Sequence, residues 1–346
     1  LGDVYKRQKE KRLDLFAPTP PLEILKLLMS MAVTKGIGYG KEGYRKGMKM
    51  DFIDISRAFF HAPALRKVYV DLPEEDKEEG MCGMLEQSMY GTRDAAQNWA
   101  NAYMDFMVTI GFRKGKASPC AFYHEARNLR AGVHGDDFTI LGPEESLDWF
   151  REVITKRFDV KMRGRMGDGD RDIKSIRILN RVVTWTPAGI EYETDQRHAE
   201  LIIKGMKLQS SDKPVNTPGY QRPAKERRED EADLEGEDAT MYRALVARAN
   251  YLGQDRSDIK YAIKELSRWM AKPKQGDWAG LKRLARYLVG CPRAVSVFNR
   301  QRREKFLVGW SDSDWAGCKE ARISTSGGVL RHGANILKAV SYTHLR

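Results

Sequence analysis

Cysteine is scarce in this chain, with four in 346 residues. Cys82, Cys120, Cys291 and Cys318 stand far apart and form no C-x-x-C pair, so neither a zinc site nor a disulfide framework is suggested. A reducing, intracellular setting fits. Long apolar runs are missing as well. The longest, from Leu22 to Val33, is interrupted by Glu23, Lys26 and Ser30 and falls short of the roughly 20 apolar residues that cross a bilayer. A soluble protein with no membrane partner is therefore expected. The chain lacks an initiator methionine and a signal-peptide pattern, and no internal repeat is present. It reads as a piece of something longer, with Leu1 to Gln8 and roughly Ser341 to Arg346 resembling translated adaptor sequence.

Basic residues, by contrast, are in excess. Sixty Lys and Arg against 48 Asp and Glu give a formal charge of +12 and a pI near 9.4. Such a field favours polyanions, nucleic acid first, over acidic surfaces or neutral small molecules. Composition alone leaves open a basic protein whose charge is merely solvated. The length predicts two or three units, each large enough to bury its own core.

Helix and strand patterns are mixed from the start. Thr19-Pro20-Pro21, followed by Leu22, Leu25, Leu28, Met29 and Ala32, reads as a capped helix start with an apolar stripe. Five glycines between Gly36 and Gly47 make a loop without the spacing of a phosphate-binding loop. Met48 to Ile55 alternates as a strand, and Ala95, Trp99, Tyr103, Phe106, Met107 and Ile110 recur as one helix face. Leu129 to Leu141 is two short apolar runs broken at Gly135-Asp136, the composition of a tight hairpin. A helix with Leu147, Phe150 and Ile154 inward follows. Residues 180 to 193 predict a second hairpin and Gln196 to Leu208 another helix. From about 210 to 240 the sequence is charged and poor in apolar residues, with Lys225 to Arg228 followed by a dense acidic run, and is expected to be a linker. Two helices after it carry stripes at Ile259, Ile263 and Leu266 and at Leu281, Leu284 and Leu288. Lys305 to Trp310 predicts a strand running into Ser311-Asp312-Ser313-Asp314.

Three acidic positions stand out: Asp54 near the end of the first strong strand, and Asp136-Asp137 at the hairpin turn. Carboxylates are hard oxygen ligands suited to Mg2+, and phosphoryl transfer commonly uses two such ions about 3.5–4 Å apart. The aspartates converge if their strands are neighbours in one sheet. A lone Gly-Asp-Asp is ordinarily just a turn, because Asp suits turns for local hydrogen-bonding reasons. Asp51 and Asp54 differ by three positions and so point to opposite faces of the strand. Only one of them can serve the site.

Three segments resemble the reverse transcriptase of copia-type LTR retrotransposon Pol polyproteins. Asp54-Ile-Ser-Arg-Ala-Phe-Phe-His-Ala-Pro63 is similar to the first palm motif of that family, in which a metal-binding Asp is followed five residues later by an aromatic that rejects a ribose 2′-hydroxyl. The resemblance selects Asp54 over Asp51 and assigns Phe59 the gate; without it, a core phenylalanine is the ordinary expectation. Ser88-Met-Tyr-Gly-Thr-Arg-Asp-Ala-Ala-Gln-Asn-Trp99 resembles the segment usually written L-Y-G-L-K-Q-A-P-R-A-W, which implies that Tyr90, Gly91 and Arg93 face the incoming nucleotide. Ala96 replaces its proline, and Trp99 reads as core from its helix face. Val133-His-Gly-Asp-Asp-Phe138 resembles the family's Tyr-x-Asp-Asp turn, with His134 in the tyrosine position and Asp136 the firmer metal ligand.

Downstream, Met241 to Val246, Tyr251 to Ile259, Leu266 to Pro273 and Lys282 to Leu288 are similar to the copia-type connection, which implies phosphate contacts by Arg268, Lys282, Arg283 and Arg286. Val308 to Gly317 and Ser324 to Gly328 resemble the first strands of a ribonuclease H domain, with Asp312 as its first metal ligand. The implied architecture is α+β: a right-hand polymerase palm and fingers, an antiparallel sheet with packed helices, over 14–165; the end of the palm and the thumb over 166–209; a charged linker over 210–240; a helical connection over 241–300; and a truncated ribonuclease H-like α/β terminus over 305–340. Finger strands expected ahead of Asp14 are missing or replaced. The implied activity is RNA-directed DNA polymerisation, with Asp54, Asp136 and Asp137 holding two Mg2+ ions, for which Mn2+ could substitute. Implied partners are an RNA or DNA template with primer, deoxynucleoside triphosphates and the remainder of the Pol polyprotein. The implied setting is cytoplasmic, in a retroelement particle, or nuclear. Two alternatives are an inactive remnant that still binds nucleic acid, and a metal-dependent nuclease using Asp312 with Asp314.

Overall fold

The computed structural model describes residues 17–41, 43, 46–220, 228–304, 306–317 and 322–343. Cys318, the stretch Leu1 to Gln8, residues 14–16 of the expected fingers and the cluster Lys225 to Arg227 lie outside them. The chain divides into two compact units, Leu1–Lys174 and Ser175–Arg346. Its architecture is mixed α+β, with seven α-helices and antiparallel sheets among the described residues. None of the described helices is long and apolar enough to cross a membrane.

The first unit is built on a six-stranded sheet. Its strands are β1 (Lys49–Ile55), β4 (Arg113–Lys114), β5 (Ala121–His124), β6 (Leu129–His134), β7 (Asp137–Gly142) and β8 (Val160–Met166). Their order is β4-β5-β6-β7-β1-β8, and every pairing is antiparallel. A short ribbon of β2 (Tyr69–Val70) and β3 (Gly83–Met84) stands apart from it. Period-two alternation gives the sheet two faces. Ile53, Ile55, Val133, Phe138 and Ile140 pack into one buried cluster with Trp99 and Tyr103 of α2 (Ala95–Thr109) and Phe150 and Ile154 of α3 (Glu144–Arg157). On the other face lies α1 (Leu22–Ala32), which starts after Pro21 without a side-chain cap rather than at Thr19. A Cβ at Gly132 would stand 2.7 Å from Ile24 Cγ2, so this glycine lets α1 approach the sheet.

The second unit holds a sheet of order β12-β11-β10-β9, formed by β9 (Ser175–Ile178), the hairpin β10 (Arg181–Thr186) and β11 (Gly189–Glu193), and β12 (Val295–Asn299). Its helices are α4 (Arg197–Gly205), α5 (Gly236–Leu252), α6 (Lys260–Ser267) and α7 (Gln275–Gly290), whose apolar stripes make a second core cluster. A three-stranded sheet of β13 (Leu307–Ser313), β14 (Thr325–His332) and β15 (Asn335–Thr343) completes it.

The charged stretch expected as a linker to residue 240 differs in its second half. Helix α5 begins at Gly236, and Leu234 is buried in the helical core. Charges here find partners outside the stretch. Arg228 pairs with Asp277 at 3.0 Å and stacks on Trp269, while Glu231 accepts the Gly276 amide in the first turn of α7, where the helix dipole favours an anion.

Candidate active site

The antiparallel register of β1 and β7 sets Asp54 directly opposite Asp137. On β6 the residue opposite Asp137 is His134, and on β8 the residue opposite Asp54 is Lys161. Directly opposed residues share a face, with Cβ atoms about 4.5–5.5 Å apart. A row of His134, Asp137, Asp54 and Lys161 therefore crosses the sheet on the face away from α2 and α3. Asp51 takes the opposite face, as the strand period requires. It is fully buried and accepts paired hydrogen bonds from Arg151 and Arg165. Asp54 is thus the carboxylate of β1 left available for chemistry.

Asp137 sits in a conflicted environment. Burial pushes its carboxyl above the usual carboxylate range, and the charges of Asp136 and Asp54 push the same way. Arg163, at 3.1 Å from Asp137 Oδ1, opposes them. Arg163 lies two positions from Lys161 on β8 and so shares the face of Asp54; the register shift between Phe52 and Ile53 instead sets Arg165 opposite Asp51. Asp137 therefore feels the charge of both other aspartates. Among the described residues, however, no three His, Cys, Asp or Glu side chains gather tightly enough to close around a metal ion.

The turn that carries Asp136 is held at two points. Ile55 donates its amide to the Asp136 carbonyl at 3.0 Å, and the Trp99 indole N–H donates to the Gly135 carbonyl at 2.9 Å. Gly135 adopts φ of +65°, a left-handed value that glycine reaches at least cost in a two-residue hairpin loop.

The other two segments converge on this hairpin. Phe59, half-buried beside the core, stacks against Tyr90 with ring centroids 4.4 Å apart. The Ser88 amide donates to the Ala62 carbonyl, its hydroxyl donates to the Pro63 carbonyl, and Asn98 donates to Ser88 Oγ. These bonds tie the strip after Asp54 to the strip before α2. Gly91 has φ of +92° with open space around its Cβ position, so backbone conformation rather than crowding selects glycine there. Arg93 is exposed two residues further on. Trp99 was read as core and is core, at 2% exposed, but its hydrogen bond to the turn was not visible, since an apolar stripe says nothing about where an N–H points. Arg163 and Asn98 were missed outright, because a contact made across three strands and a buried side-chain pair leave no periodic trace.

The remaining candidates lie in the second unit. Arg268 pairs with Glu265 and lies over Trp269. Arg283 donates to Thr217 Oγ1 and Arg286 to the Lys213 carbonyl, so both fasten the first half of the charged stretch, while Lys282 is exposed. Asp312 lies inside β13, which extends to Ser313 rather than ending at Trp310. Asp314 accepts the amides of Thr325 and Gly317, which hold its carboxyl below the usual range.

Comparison with known proteins identifies relatives of the chain. Residues 4–168 match the family model for reverse transcriptase (RNA-dependent DNA polymerase). The chain is 26% identical over 288 residues to the retrovirus-related Pol polyprotein from transposon RE2 of Arabidopsis thaliana, covering 81% of this chain and 19% of that protein. It is 23% identical over 325 residues to the corresponding polyprotein from transposon TNT 1-94 of Nicotiana tabacum, covering 91% of this chain and 23% of the relative. A putative transposon Ty5-1 protein of Saccharomyces cerevisiae is 20% identical over 284 residues, 80% of this chain and 88% of that protein. The chain spans about a fifth of the length of the plant polyproteins it matches. Residues 4–168 thus match a reverse transcriptase domain, and the homologues of the chain are copia-type retrotransposon Pol polyproteins.

Proposed function

We propose that the first unit is the palm and fingers of an RNA-directed DNA polymerase that adds deoxynucleotides to a primer 3′-hydroxyl, with release of pyrophosphate. In this reading the second unit supplies thumb and connection, and β13–β15 open a ribonuclease H-like domain. The observation that carries it is the facing register of Asp54 and Asp137 at the hairpin turn of Asp136. The donor set fits Mg2+: hard oxygens only, with a raised Asp137 carboxyl whose repulsion from Asp136 and Asp54 a divalent cation relieves. Asp54, Asp136 and Asp137 would hold the metal. When bound, two Mg2+ ions supply charge stabilisation for the attacking and leaving oxygens.

The chain's own residues supply alignment. Phe59, backed by Tyr90, presents a half-buried ring where the sugar of a deoxynucleotide would lie, and excludes a 2′-hydroxyl by volume. Gly91 keeps the neighbouring backbone free of a side chain, and Arg93 offers an exposed cation to the triphosphate. Lys161 and Arg163 flank the acids with positive charge, which counters the field that would otherwise repel a polyanionic substrate. Arg268, Lys282, Arg283 and Arg286 would carry template-primer contacts that bind without reading sequence. The nuclease alternative loses support, because Asp314 is engaged by backbone amides of its own loop.

Primer extension on an RNA template with Mg2+ tests the reading, run with the intact chain, Asp54→Asn and Asp136→Asn. Incorporation that both substitutions abolish supports it. Salt-sensitive binding of template-primer with no incorporation by the intact chain overturns it in favour of the inactive remnant.

A further inference from the structure

Trp99 carries a hydrogen bond that its place in the core does not require. Its ring is packed by Phe158 at 5.2 Å and Tyr103 at 5.5 Å between centroids, which already accounts for its burial. The indole N–H nevertheless reaches the Gly135 carbonyl at 2.9 Å. The acceptor immediately precedes Asp136, in a two-residue loop where Gly135 has φ of +65°. A peptide plane at such a loop can rotate about its Cα–Cα axis between turn types, and the rotation resets φ of Asp136 and with it the side-chain rotamers that the turn allows. A donor fixed on the carbonyl removes that freedom. The donor is anchored well, since Trp99 belongs to a fifteen-residue helix whose N-terminal end is itself tied to the Phe59 strip through Asn98 and Ser88.

We propose that Trp99 is a positioning residue: its indole N–H fixes the orientation of the Asp136-Asp137 turn, and so couples the carboxylates to the strip that carries Phe59 and Tyr90. The proposal rests on the reading of these aspartates as the polymerase site, but what it asserts about the turn can be measured without catalysis. The buried N–H is satisfied by this one acceptor, so a ring of similar shape without the donor should free the loop while leaving most of the packing.

The test compares Trp99→Phe, which deletes the donor, with Phe158→Leu, which loosens the same aromatic packing and keeps the donor. Amide hydrogen exchange is followed at residues 134–138, with β5 and residues 129–133 of β6 as internal references, alongside Mn2+ titration followed by electron paramagnetic resonance. Trp99→Phe is expected to speed exchange at 134–138 about tenfold or more and to weaken Mn2+ binding by about 10- to 100-fold, the usual range when a group supporting metal ligands is lost. Phe158→Leu is expected to shift exchange evenly across the sheet. In primer extension Trp99→Phe should lower kcat while nucleotide KM stays within about twofold, because alignment rather than binding is lost. Equal exchange at 134–138 in Trp99→Phe and the parent chain overturns the proposal, as does an equally local effect from Phe158→Leu. Faster local exchange in a chain that binds no Mn2+ and extends no primer upholds the positioning role and removes the polymerase reading instead.

Discussion

Replacing Asp51 by asparagine should destabilise the first unit by about 3 kcal/mol while replacing Asp54 should not. Asp51 is fully buried, and its two oxygens receive four hydrogen bonds of 2.6–3.0 Å from Arg151 and Arg165. Breaking a buried ion pair by removing one partner costs about 3–5 kcal/mol, because the remaining charge is left without compensation. The lower end applies here. Arg165 keeps Asp148 at 2.8 Å and Glu144 at 3.4 Å, and the Arg151 side chain is 30% exposed, so water and neighbouring acids recover part of the loss. Asp54 is only partly buried and no described side-chain bond holds it, so Asp54→Asn should stay within about 0.5 kcal/mol, as surface changes do. Urea unfolding followed by hydrogen exchange in peptides from β1 and β8 isolates this unit from the other. A cost below about 1 kcal/mol for Asp51→Asn, or an equal cost for Asp54→Asn, would refute the division of labour between the two carboxylates.

Three further outcomes can be checked directly. Burial, with help from Asp136 and Asp54, raises the Asp137 carboxyl in the folded state, so its contribution is fully present below the unfolded pKa of about 3.9 and is lost as pH rises through the folded value. Asp137→Asn, which cannot ionise, should therefore be more stable than the parent chain at pH 7 and no more stable near pH 3, read by thermal unfolding at the two pH values. In the second unit Asp255 accepts from Arg181 at 2.8 Å and from the Tyr192 hydroxyl at 3.0 Å; Asp255→Asn should cost about 3 kcal/mol in urea unfolding read at β10 peptides. Lys282→Ala should reduce the salt slope of template-primer binding by about one, measured by fluorescence anisotropy over a salt series, whereas Arg286→Ala should also speed exchange at the backbone around Lys213, whose carbonyl it holds.

What could be read from the residues depended on the range of the interaction that decided it. The hairpin of β6 and β7 was legible to the residue because its signals are local: two apolar runs and a Gly-Asp turn with a positive φ at Gly135. The opposite faces of Asp51 and Asp54 followed from strand period alone. Which of them is buried did not, because that depends on Arg151 and Arg165 arriving from α3 and β8. The same distinction explains the charged stretch. A window rich in Glu, Asp and Arg looks solvated when counted alone, but Arg228 meets Asp277 and Glu231 meets the start of α7, partners more than forty residues away by the separations those bonds span.

Family resemblance named the aspartates, yet the sequence contained no statement that β1 and β7 are neighbours; the register of Asp54 with Asp137 came only with the sheet. Arg163 shows why such a site resists local reading. Alternation along β8 puts Arg163 on the face of Lys161 and Asp54, but only the pairing of β8 with β1 and of β1 with β7 brings it to Asp137. The register shift beside Phe52 acts on the other face, where it sets Arg165 opposite Asp51. If Arg163 serves to hold Asp137 until a divalent cation replaces it, Arg163→Gln should tighten Mn2+ binding to the parent fold; if it serves the phosphates instead, the same change should leave Mn2+ binding unaltered and raise nucleotide KM. Mn2+ titration and extension kinetics on one variant therefore separate a charge that competes with the metal from a charge that assists the substrate.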